Sequence, residues 1–347
     1  MLTSEFDYKL PRELIAKEPA ARRDSARLMV LARKTGVLRH RVFHELPELL
    51  EPGNLLVLND TRVFPARLLG RRSSGGRVEA LVLNEGQNGG CRTLLKAKGR
   101  IRPGEVVSFG QDAMRIRMLE KDDTGVWRFE PLCSDFRQKM EELGDVPLPP
   151  YLARASNQLD RERYQTVYSR STGSAAAPTA GLHFTGELLD SLSHRGIELQ
   201  FLTLHIGYET FRPVKEKNVE EHVMHGEFFE LPAQTLTALK NAKETGKKVI
   251  AVGTTSCRVI ETLARRGLLC AEHPREQTVQ GWTDLFICPG FNFRAVDAMI
   301  TNFHLPRSTL LMLVAAFAGT QNTLAAYREA VRLKYRFYSY GDAMLVT

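Results

Sequence analysis

The sequence contains few cysteines, and their spacing excludes two common kinds of small stabilised protein. Its 347 residues include five cysteines, and no two of them have the Cys-x-x-Cys spacing. An odd number without such pairs indicates neither a disulfide framework nor a zinc site, so we expect a reducing compartment. His222 and His225 have a His-x-x-His spacing but lack nearby third and fourth ligands, so we expect no bound metal.

The sequence also lacks long apolar runs and recognisable targeting segments. The first ten residues, MLTSEFDYKL, contain no apolar stretch of the kind found in signal peptides. The most apolar run, residues 309–319, is too short to span a bilayer and is typical of a core helix. We therefore expect a cytoplasmic protein that does not bind membranes.

Two nucleotide-binding patterns are missing as well. No Gly-Lys pair followed by Ser or Thr is present, which excludes a P-loop, and no convincing G-x-G-x-x-G fingerprint occurs. The net charge is +8, and a folded protein this basic often binds a polyanion, because Lys and Arg neutralise phosphates. A basic enzyme without such a partner is the alternative at this point.

Residues 66–132 predict a small antiparallel β-barrel. Five short apolar runs are separated by turn clusters such as SSGG and KDDTG. From Met114 to Met118 apolar and basic residues alternate, which is typical of a half-buried strand.

The remainder of the chain has an α/β pattern. A helix entered at Thr185, a strand in IELQFLTL, a helix ending at Gly246, and the strand KKVIAVG followed by a helix alternate along the chain. We also expect strands in DLFIC (residues 284–288) and AMIT, and two helices from Ser308 to about Tyr335. The predicted fold class is an α/β sheet domain with an inserted small antiparallel β-barrel. The predicted boundaries are 1–65 with 150–347 for the sheet domain and 66–149 for the barrel.

Polar residues follow several of the predicted strands, where ligands bind in open α/β sheets. Thr254 and Thr255 begin a helix after a strand, so their segment suits a carboxylate or phosphate, although simple helix capping is the alternative. His205, Asn302 and His304 also follow strands. The segment STGSAAAPTAGLH, before His183, carries almost no bulky side chains, so it suits close approach by a nucleobase or, alternatively, tight packing in the core.

The motifs of this chain resemble those of the S-adenosylmethionine:tRNA ribosyltransferase-isomerases of queuosine biosynthesis, over essentially the whole length. The similar stretches are NDTRVFPARL, PLPPY, RYQTVYS, AAPTAGLHFT, TLHIG, TFRPV, HVMHGE, AVGTTSCR, TNFHLPRSTLLMLVAAFAG and YRFYSYGDAML. Two positions differ from the usual pattern: Ala175 stands where the family has Val, and Glu209 where it has Gly.

The resemblance implies that the ribosyl portion of S-adenosylmethionine moves to the aminomethyl group of a 7-deazaguanine at the wobble position of tRNA. Adenine and methionine leave, and the product is epoxyqueuosine. S-adenosylmethionine is then a co-substrate, no bound cofactor or metal is implied, and the tRNA anticodon arm is the partner. The implied architecture, an α/β domain with an inserted barrel, agrees with the pattern above.

This chemistry assigns roles as hypotheses. His205 and His225 are the predicted acid–base pair, since histidine transfers protons near neutral pH. Thr254, Thr255 and Arg258 are expected to hold the methionine carboxylate, and His183 to lie against the adenosine or the modified base. The full set of predicted substrate-binding residues is Thr179, Gly181, His183, Arg212, His222, Thr254, Thr255, Arg258, Asn302 and His304.

Basic residues of the junction and the insert are the predicted tRNA contacts, a solvated face being the alternative. They are Arg62, Arg67, Arg71, Arg72, Lys96, Lys98 and Arg100, with Arg77 and Arg102 beside them. We expect a monomer. Two other functions stay open at this point: a non-catalytic RNA-binding protein, and an ordinary S-adenosylmethionine-dependent RNA methyltransferase.

Overall fold

The computed structural model describes residues 1–84, 91–207, 214–270 and 277–347, and these form two compact units. The first unit contains residues 1–61, 165–171 and 177–347. The second contains residues 62–164 and 172–176, and is therefore longer than the predicted insertion of 66–149.

The secondary structure of the described residues is as follows. The strands are β1 Arg27–Leu31, β2 Leu38–Val42, β3 Leu55–Asn59, β4 Thr61–Val63, β5 Arg67–Arg72, β6 Arg77–Asn84, β7 Cys91–Ala97, β8 Val106–Phe109, β9 Met114–Lys121, β10 Val126–Pro131, β11 Ser171–Ser174, β12 Glu198–Leu204, β13 Glu227–Leu231, β14 Val249–Val252, β15 Val279–Thr283, β16 Ala298–Asn302 and β17 Ala343–Val346. The helices are α1 Leu46–Leu49, α2 Phe136–Leu143, α3 Gln158–Arg163, α4 Gly186–His194, α5 Ala233–Glu244, α6 Gly253–Arg265, α7 Thr309–Ala318 and α8 Thr320–Arg332.

The first unit is built on a nine-stranded mixed sheet in the order β15-β13-β12-β3-β14-β16-β17-β1-β2. Four neighbours in the middle, β12, β3, β14 and β16, are parallel to one another. Their carboxyl ends therefore lie along one edge of the sheet. The predicted α/β class is confirmed, and the sheet is mixed because β13, β15, β17 and β2 each pair antiparallel with a neighbour.

The central strands are apolar because the sheet is covered on both faces. Every residue of β3, β14 and β16 is buried. On one face, Leu188 and Leu192 of α4 pack with Leu56, Leu58 and Ile250 of the sheet. Burying each such side chain stabilises the fold by about 1.5–3 kcal/mol. Helix α4 begins where the sequence predicts, because the Thr185 hydroxyl accepts a hydrogen bond from Leu188 N at 3.1 Å.

The second unit contains a closed six-stranded antiparallel barrel in the order β10-β7-β6-β5-β8-β9. The alternation predicted for residues 114–118 is confirmed: Met114, Ile116 and Met118 are buried in the barrel core, and Arg115 and Arg117 are exposed. Strand β5 is the sixth member of the barrel; it lies within the predicted insertion but is not one of the five predicted runs.

One predicted strand is wrong. DLFIC, residues 284–288, has no regular structure, and the strand lies immediately before it as β15. β15 pairs with β13 through Val279 to Thr283, where the pairing ends. Ile287 is buried all the same, so its apolar character reflects packing of a loop rather than a strand.

Within the described ranges, no single helix is long and apolar enough to cross a membrane. Helices α7 and α8 reach the required length and hydropathy only when taken together, and a bend of 115° separates them.

Candidate active site

A narrow cavity of about 30 Å³ lies within the first unit, at the carboxyl edge of the parallel strands. Loops after three strands line it: Ile206 follows β12, α6 begins directly after β14, and His304 follows β16. The small residues 177–180 form another wall. The lining residues are Ala177, Pro178, Thr179, Ala180, Ile206, Gly253, Thr254, Thr255, Thr301, Asn302, His304 and Leu310. The structure therefore brings together Thr179, Thr254, Thr255, Asn302 and His304 of the predicted set.

The wall of small residues continues into a short helix in which one position has no room for a side chain. Gly181 lies in a short 3-10 helix, Thr179–His183, and does not line the cavity. A Cβ atom on Gly181 would lie 2.1 Å from Tyr168 Oη and 2.8 Å from Thr166 Cγ2. Only glycine fits there, so Gly181 sets the path of the wall rather than touching a ligand.

The turn from β14 into α6 presents a helix N-terminus to the cavity. Gly253 has a φ of 88°, a backbone conformation that favours glycine. Thr254 and Thr255 follow it in the first turn, and both are buried. Thr255 Oγ1 is buried and has no hydrogen-bond partner among the described residues. A buried hydroxyl without a partner is costly, which makes it a candidate ligand contact.

Asn302 contributes a second buried polar atom without a partner. Its Nδ2 donates to His183 Nε2 at 3.2 Å and to the carbonyl oxygen of Tyr338 at 3.1 Å. Its Oδ1 is buried and has no partner in the described part of the chain. Asn302 thus offers one acceptor, and His183 lies behind it rather than in the cavity lining.

His183 is a neutral, buried histidine. Burial lowers its pKa to about 4, the nearby positive charges of Arg23 and Arg336 act in the same direction, and a hydrogen bond to the backbone of Arg23 opposes the shift. Its ring also lies 5.0 Å from that of Phe43. Because Nε2 accepts from Asn302, the neutral ring carries its proton on Nδ1.

His304 is also held as a buried neutral ring. Its Nε2 is 2.8 Å from the Thr301 hydroxyl, and burial lowers its pKa to about 3. Its backbone is fixed on both sides, since His304 N donates to Tyr327 Oη at 3.0 Å and Tyr8 Oη donates to its carbonyl. His304 is therefore suited to shaping the cavity and not to carrying a charge.

His205 lies next to the cavity residue Ile206 and is oriented by Thr61. Thr61 Oγ1 lies 2.8 Å from His205 Nδ1 and 3.4 Å from the carbonyl oxygen of Ser171. When the hydroxyl donates to the Ser171 carbonyl, it accepts from Nδ1–H of His205. In that tautomer Nε2 of His205 has a free lone pair. Burial lowers the pKa of His205, and the charge of Glu230 opposes the shift.

Asp60 and Thr61 were missed by the sequence reasoning, although both lie in the NDTR stretch that ends β3. Asp60 Oδ1 accepts from the Thr203 hydroxyl at 2.7 Å, and burial raises the pKa of Asp60. The signal was present, because β3 is an apolar strand followed by a polar run at the same sheet edge as His205.

Arg258 has different neighbours from those that the sequence led us to expect. Its Nη1 forms a buried ion pair with Glu227, and its Nε and Nη2 donate to the carbonyls of Leu285 at 3.0 Å and Thr283 at 3.2 Å. It does not line the cavity. Glu227, the last residue of the HVMHGE stretch, also accepts from Gly207 N at 2.9 Å. These contacts give Arg258 a structural role, and carboxylate binding stays a prediction.

The remaining predicted residues lie outside this cavity. His222 Nδ1 is 3.1 Å from Glu216 Oε2, and its ring packs edge-on against Phe286. His225 is exposed, just before β13. Arg212 lies outside the described residues. Over the same described ranges there is no group of three or more His, Cys, Asp and Glu side chains that could hold a metal ion.

The basic residues of the second unit fall into two groups. Arg72 Nε and Nη2 pair with Glu105, and its Nη1 and Nη2 donate to the carbonyls of Lys98 and Arg100, so Arg72 ties down that segment. Arg67 pairs with Glu79. The others in the predicted set are exposed: Arg62, Arg71, Lys96, Lys98 and Arg100, together with Arg77 and Arg102.

The exposed arginines form a row across the barrel. Arg71 on β5 is directly opposite Arg77 on β6 and Ser108 on β8, and Ser108 is opposite Arg115 on β9. Among described residues none of these three arginines forms an ion pair. Like charges directly opposite each other destabilise a sheet, so this row favours an anionic partner.

Comparison with known proteins gives a consistent result. The family described as "Queuosine biosynthesis protein" matches residues 3–346. An S-adenosylmethionine:tRNA ribosyltransferase-isomerase of Halothermothrix orenii is 50% identical over 349 residues, which is 100% of both chains. The protein of the same name from Thermotoga maritima is 48% identical, also over 100% of both chains. A crystal structure of S-adenosylmethionine tRNA ribosyltransferase from Thermotoga maritima matches with a TM-score of 0.56 and 38% identity, covering 99% of this chain and 100% of that one.

We predict that the protein loses stability in mild acid, because burial disfavours the protonated forms of His183 and His304. The pKa of His183 in the folded protein, about 4, is below its value of 6.5 in the unfolded chain. The folded state therefore binds fewer protons, and stability present above pH 6.5 is lost as the pH falls towards 4. For His183 this loss is about 3 kcal/mol, at about 1.4 kcal/mol for each pKa unit.

Thermal unfolding between pH 7 and pH 4 measures this effect. His183→Gln should unfold with a weaker dependence on pH than the wild-type protein. His194→Gln, at an exposed histidine of α4, is the matched control and should keep the wild-type slope. Equal slopes for all three proteins would contradict the assignment.

Proposed function

The chain belongs to the queuosine biosynthesis protein family, and we propose that it is an S-adenosylmethionine:tRNA ribosyltransferase-isomerase. The enzyme transfers and isomerises the ribosyl moiety of S-adenosylmethionine onto 7-aminomethyl-7-deazaguanine at the wobble position of tRNA. The modified nucleoside is epoxyqueuosine, and adenine and methionine are released. The observation that carries this conclusion is the full-length match to enzymes of that name.

The cavity at the strand ends is the proposed site for S-adenosylmethionine. Its wall of small residues offers a surface for a flat ring to lie against, and the N-terminus of α6 favours a carboxylate. Thr254 and the backbone N–H groups of that first turn are the proposed carboxylate ligands. S-adenosylmethionine is larger than the cavity, so binding requires the lining segments to move apart.

His205 is the proposed general base. The C5′ proton of S-adenosylmethionine is adjacent to the sulfonium, so a neutral base can remove it to give an ylide. His205 suits this step because burial favours its neutral form and the Thr61 hydroxyl contacts Nδ1, so that Nε2 is the nitrogen proposed to act as the base. His225 stays the proposed second acid–base group, which would take a proton from the ammonium of the substrate so that the amine can attack.

The exposed arginines of the barrel are the proposed contacts for tRNA phosphates. Their support is the row formed by Arg71, Arg77 and Arg115, whose charges are not neutralised by ion pairs in the described residues. Arg72 and Arg67 are reassigned to holding the barrel itself, because each is paired with a glutamate. A cytoplasmic location and a monomeric state stay predictions from the sequence.

The products of the reaction test the proposed function. The enzyme should convert tRNA carrying 7-aminomethyl-7-deazaguanine, in the presence of S-adenosylmethionine, into tRNA carrying epoxyqueuosine, with free adenine and methionine in equal amounts. Mass spectrometry of the nucleosides and small molecules measures all three. S-adenosylhomocysteine with a methylated nucleoside would indicate a methyltransferase, and tRNA binding without turnover would indicate a binding protein.

Substitution of His205 tests the proposed base. His205→Gln should reduce kcat by about 100-fold or more, because general-base catalysis contributes about 10²–10⁴-fold. Affinity for tRNA should stay unchanged. Since burial lowers the pKa of His205, the acidic limb of the pH–rate profile should lie below pH 6.5 in the wild-type enzyme. His194→Gln is the control, and undiminished turnover of His205→Gln would remove His205 from the scheme.

Salt dependence of binding tests the barrel surface. Arg71→Ala combined with Arg77→Ala should weaken tRNA binding and reduce the slope of log K against log salt by about 1 for each lost phosphate contact. The unfolding temperature should not fall. Arg128→Ala, at an exposed arginine paired with Glu120, is the matched control on the same barrel. If the control weakens binding equally, the row has no special role.

A further inference from the structure

Two buried polar atoms in the cavity lack partners, and the surrounding contacts fix which hydrogen-bonding role each can play. Asn302 is 1% exposed and Thr255 is 8% exposed. Asn302 Oδ1 and Thr255 Oγ1 have no hydrogen-bond partner in the described residues. Because such atoms are rare in native proteins, their presence together in one cavity points to a ligand that satisfies both.

The orientation of the Asn302 amide is set by Tyr338. The carbonyl oxygen of Tyr338 can only accept a hydrogen bond, so the Asn302 atom 3.1 Å from it must be Nδ2. Reversing the amide would place two acceptor oxygens against each other. The second hydrogen of Nδ2 goes to His183 Nε2, and Oδ1 is therefore held as an acceptor.

The backbone of Tyr338 is strained in the conformation that provides this carbonyl. Its φ is 72°, in the left-handed region that bulky residues rarely adopt. Two hydrogen bonds hold it there: Tyr338 N donates to Phe303 O at 3.0 Å, and Gly341 N donates to Tyr338 O at 2.9 Å. Strain of this kind persists where the surroundings impose it, and it is concentrated at functional sites.

We infer that Asn302 and Thr255 recognise the adenine ring of S-adenosylmethionine. Asn302 Oδ1 accepts from the 6-amino group, and the Thr255 hydroxyl donates to a ring nitrogen beside that group. Adenine presents this donor and acceptor side by side, and the apolar walls around Ala177 and Ile206 suit its faces. His183 is a positioning residue that fixes the Asn302 amide. The inference rests on the proposed function and deepens it. It assigns Thr255 to the adenine ring instead of the methionine carboxylate.

Base-altered co-substrates test this assignment by calorimetry. The wild-type protein should bind the analogue with hydrogen in place of the 6-amino group about 10- to 100-fold more weakly than S-adenosylmethionine. In Asn302→Leu, the two affinities should become nearly equal. Thr255→Val should likewise remove the discrimination against the 1-deaza or the 7-deaza analogue, whichever the wild-type protein discriminates against.

The matched control is Thr262→Val on the same helix. Thr262 is buried, its hydroxyl bonds Thr283 at 2.7 Å, and it does not line the cavity. This variant should lose stability and keep the wild-type affinity ratios. His183→Leu should lower the ratio for the 6-amino group, and His183→Gln, which still offers an acceptor to Asn302, should restore it. A residue with only a structural role would change the unfolding temperature in both variants and the ratio in neither.

Three outcomes would overturn the inference. In the first, the wild-type protein binds the 6-hydrogen analogue as tightly as S-adenosylmethionine. In the second, Asn302→Leu keeps the full affinity ratio between these two compounds. In the third, Asn302→Leu instead loses discrimination against an analogue that lacks the methionine amino group. Failure of the proposed function is recognised separately, because the wild-type protein would then release no adenine from S-adenosylmethionine, whether or not it binds the co-substrate.

Discussion

Parallel pairing of β12, β3, β14 and β16 is the constraint on which the candidate site depends. Strands that run in one direction end at one edge, so the polar residues that follow them must come close together. Asn59 ends β3 and Asp60 follows it, His205 follows β12, and Asn302 ends β16. Residues separated by more than 240 positions in the chain therefore belong to one neighbourhood.

Buried carboxylates hold loops at both ends of the central strands. Glu261 of α6 accepts from the backbone N–H groups of Arg294, Ala295 and Val296 at 2.9–3.0 Å, which fixes the loop before β16. Glu227 does the same for Gly207 while pairing with Arg258. Because their backbone N–H groups are satisfied, these two loops are each held in one conformation. Glu227 thus supports the carboxyl edge without lining the cavity, and Glu261 acts at the opposite end of β16.

The barrel separates structural and exposed arginines over very short distances in the sequence. Arg71 and Arg72 are adjacent, but successive side chains of a strand point to opposite sides. Arg72 is bound by Glu105 and two carbonyls, and Arg71 is exposed beside Arg77. Net charge alone cannot separate these roles, which is why the predicted tRNA contacts included both kinds of residue.

Much of the fold followed from local patterns. The alternation of Met114 to Met118, the Thr185 cap and the buried strand before Gly253 each depend on residues close in the chain, and each was found. DLFIC failed because Ile287 is buried in a loop, and apolar character does not report which partner covers a residue. The motif stretches identified the family because long ordered strings have few alternative origins.

The sequence by itself determined the α/β class, the inserted barrel, the set of polar residues that follow strands and the resemblance to a family. Only the tertiary structure decided what each side chain does, because hydrogen-bond partners come from distant parts of the chain. Arg258 is engaged by Glu227 and two carbonyls, His183 lies behind Asn302, and Thr61 orients His205. The type of a residue determines which hydrogen bonds its side chain can form. Its packed neighbours determine which of its donors and acceptors remain available to a ligand.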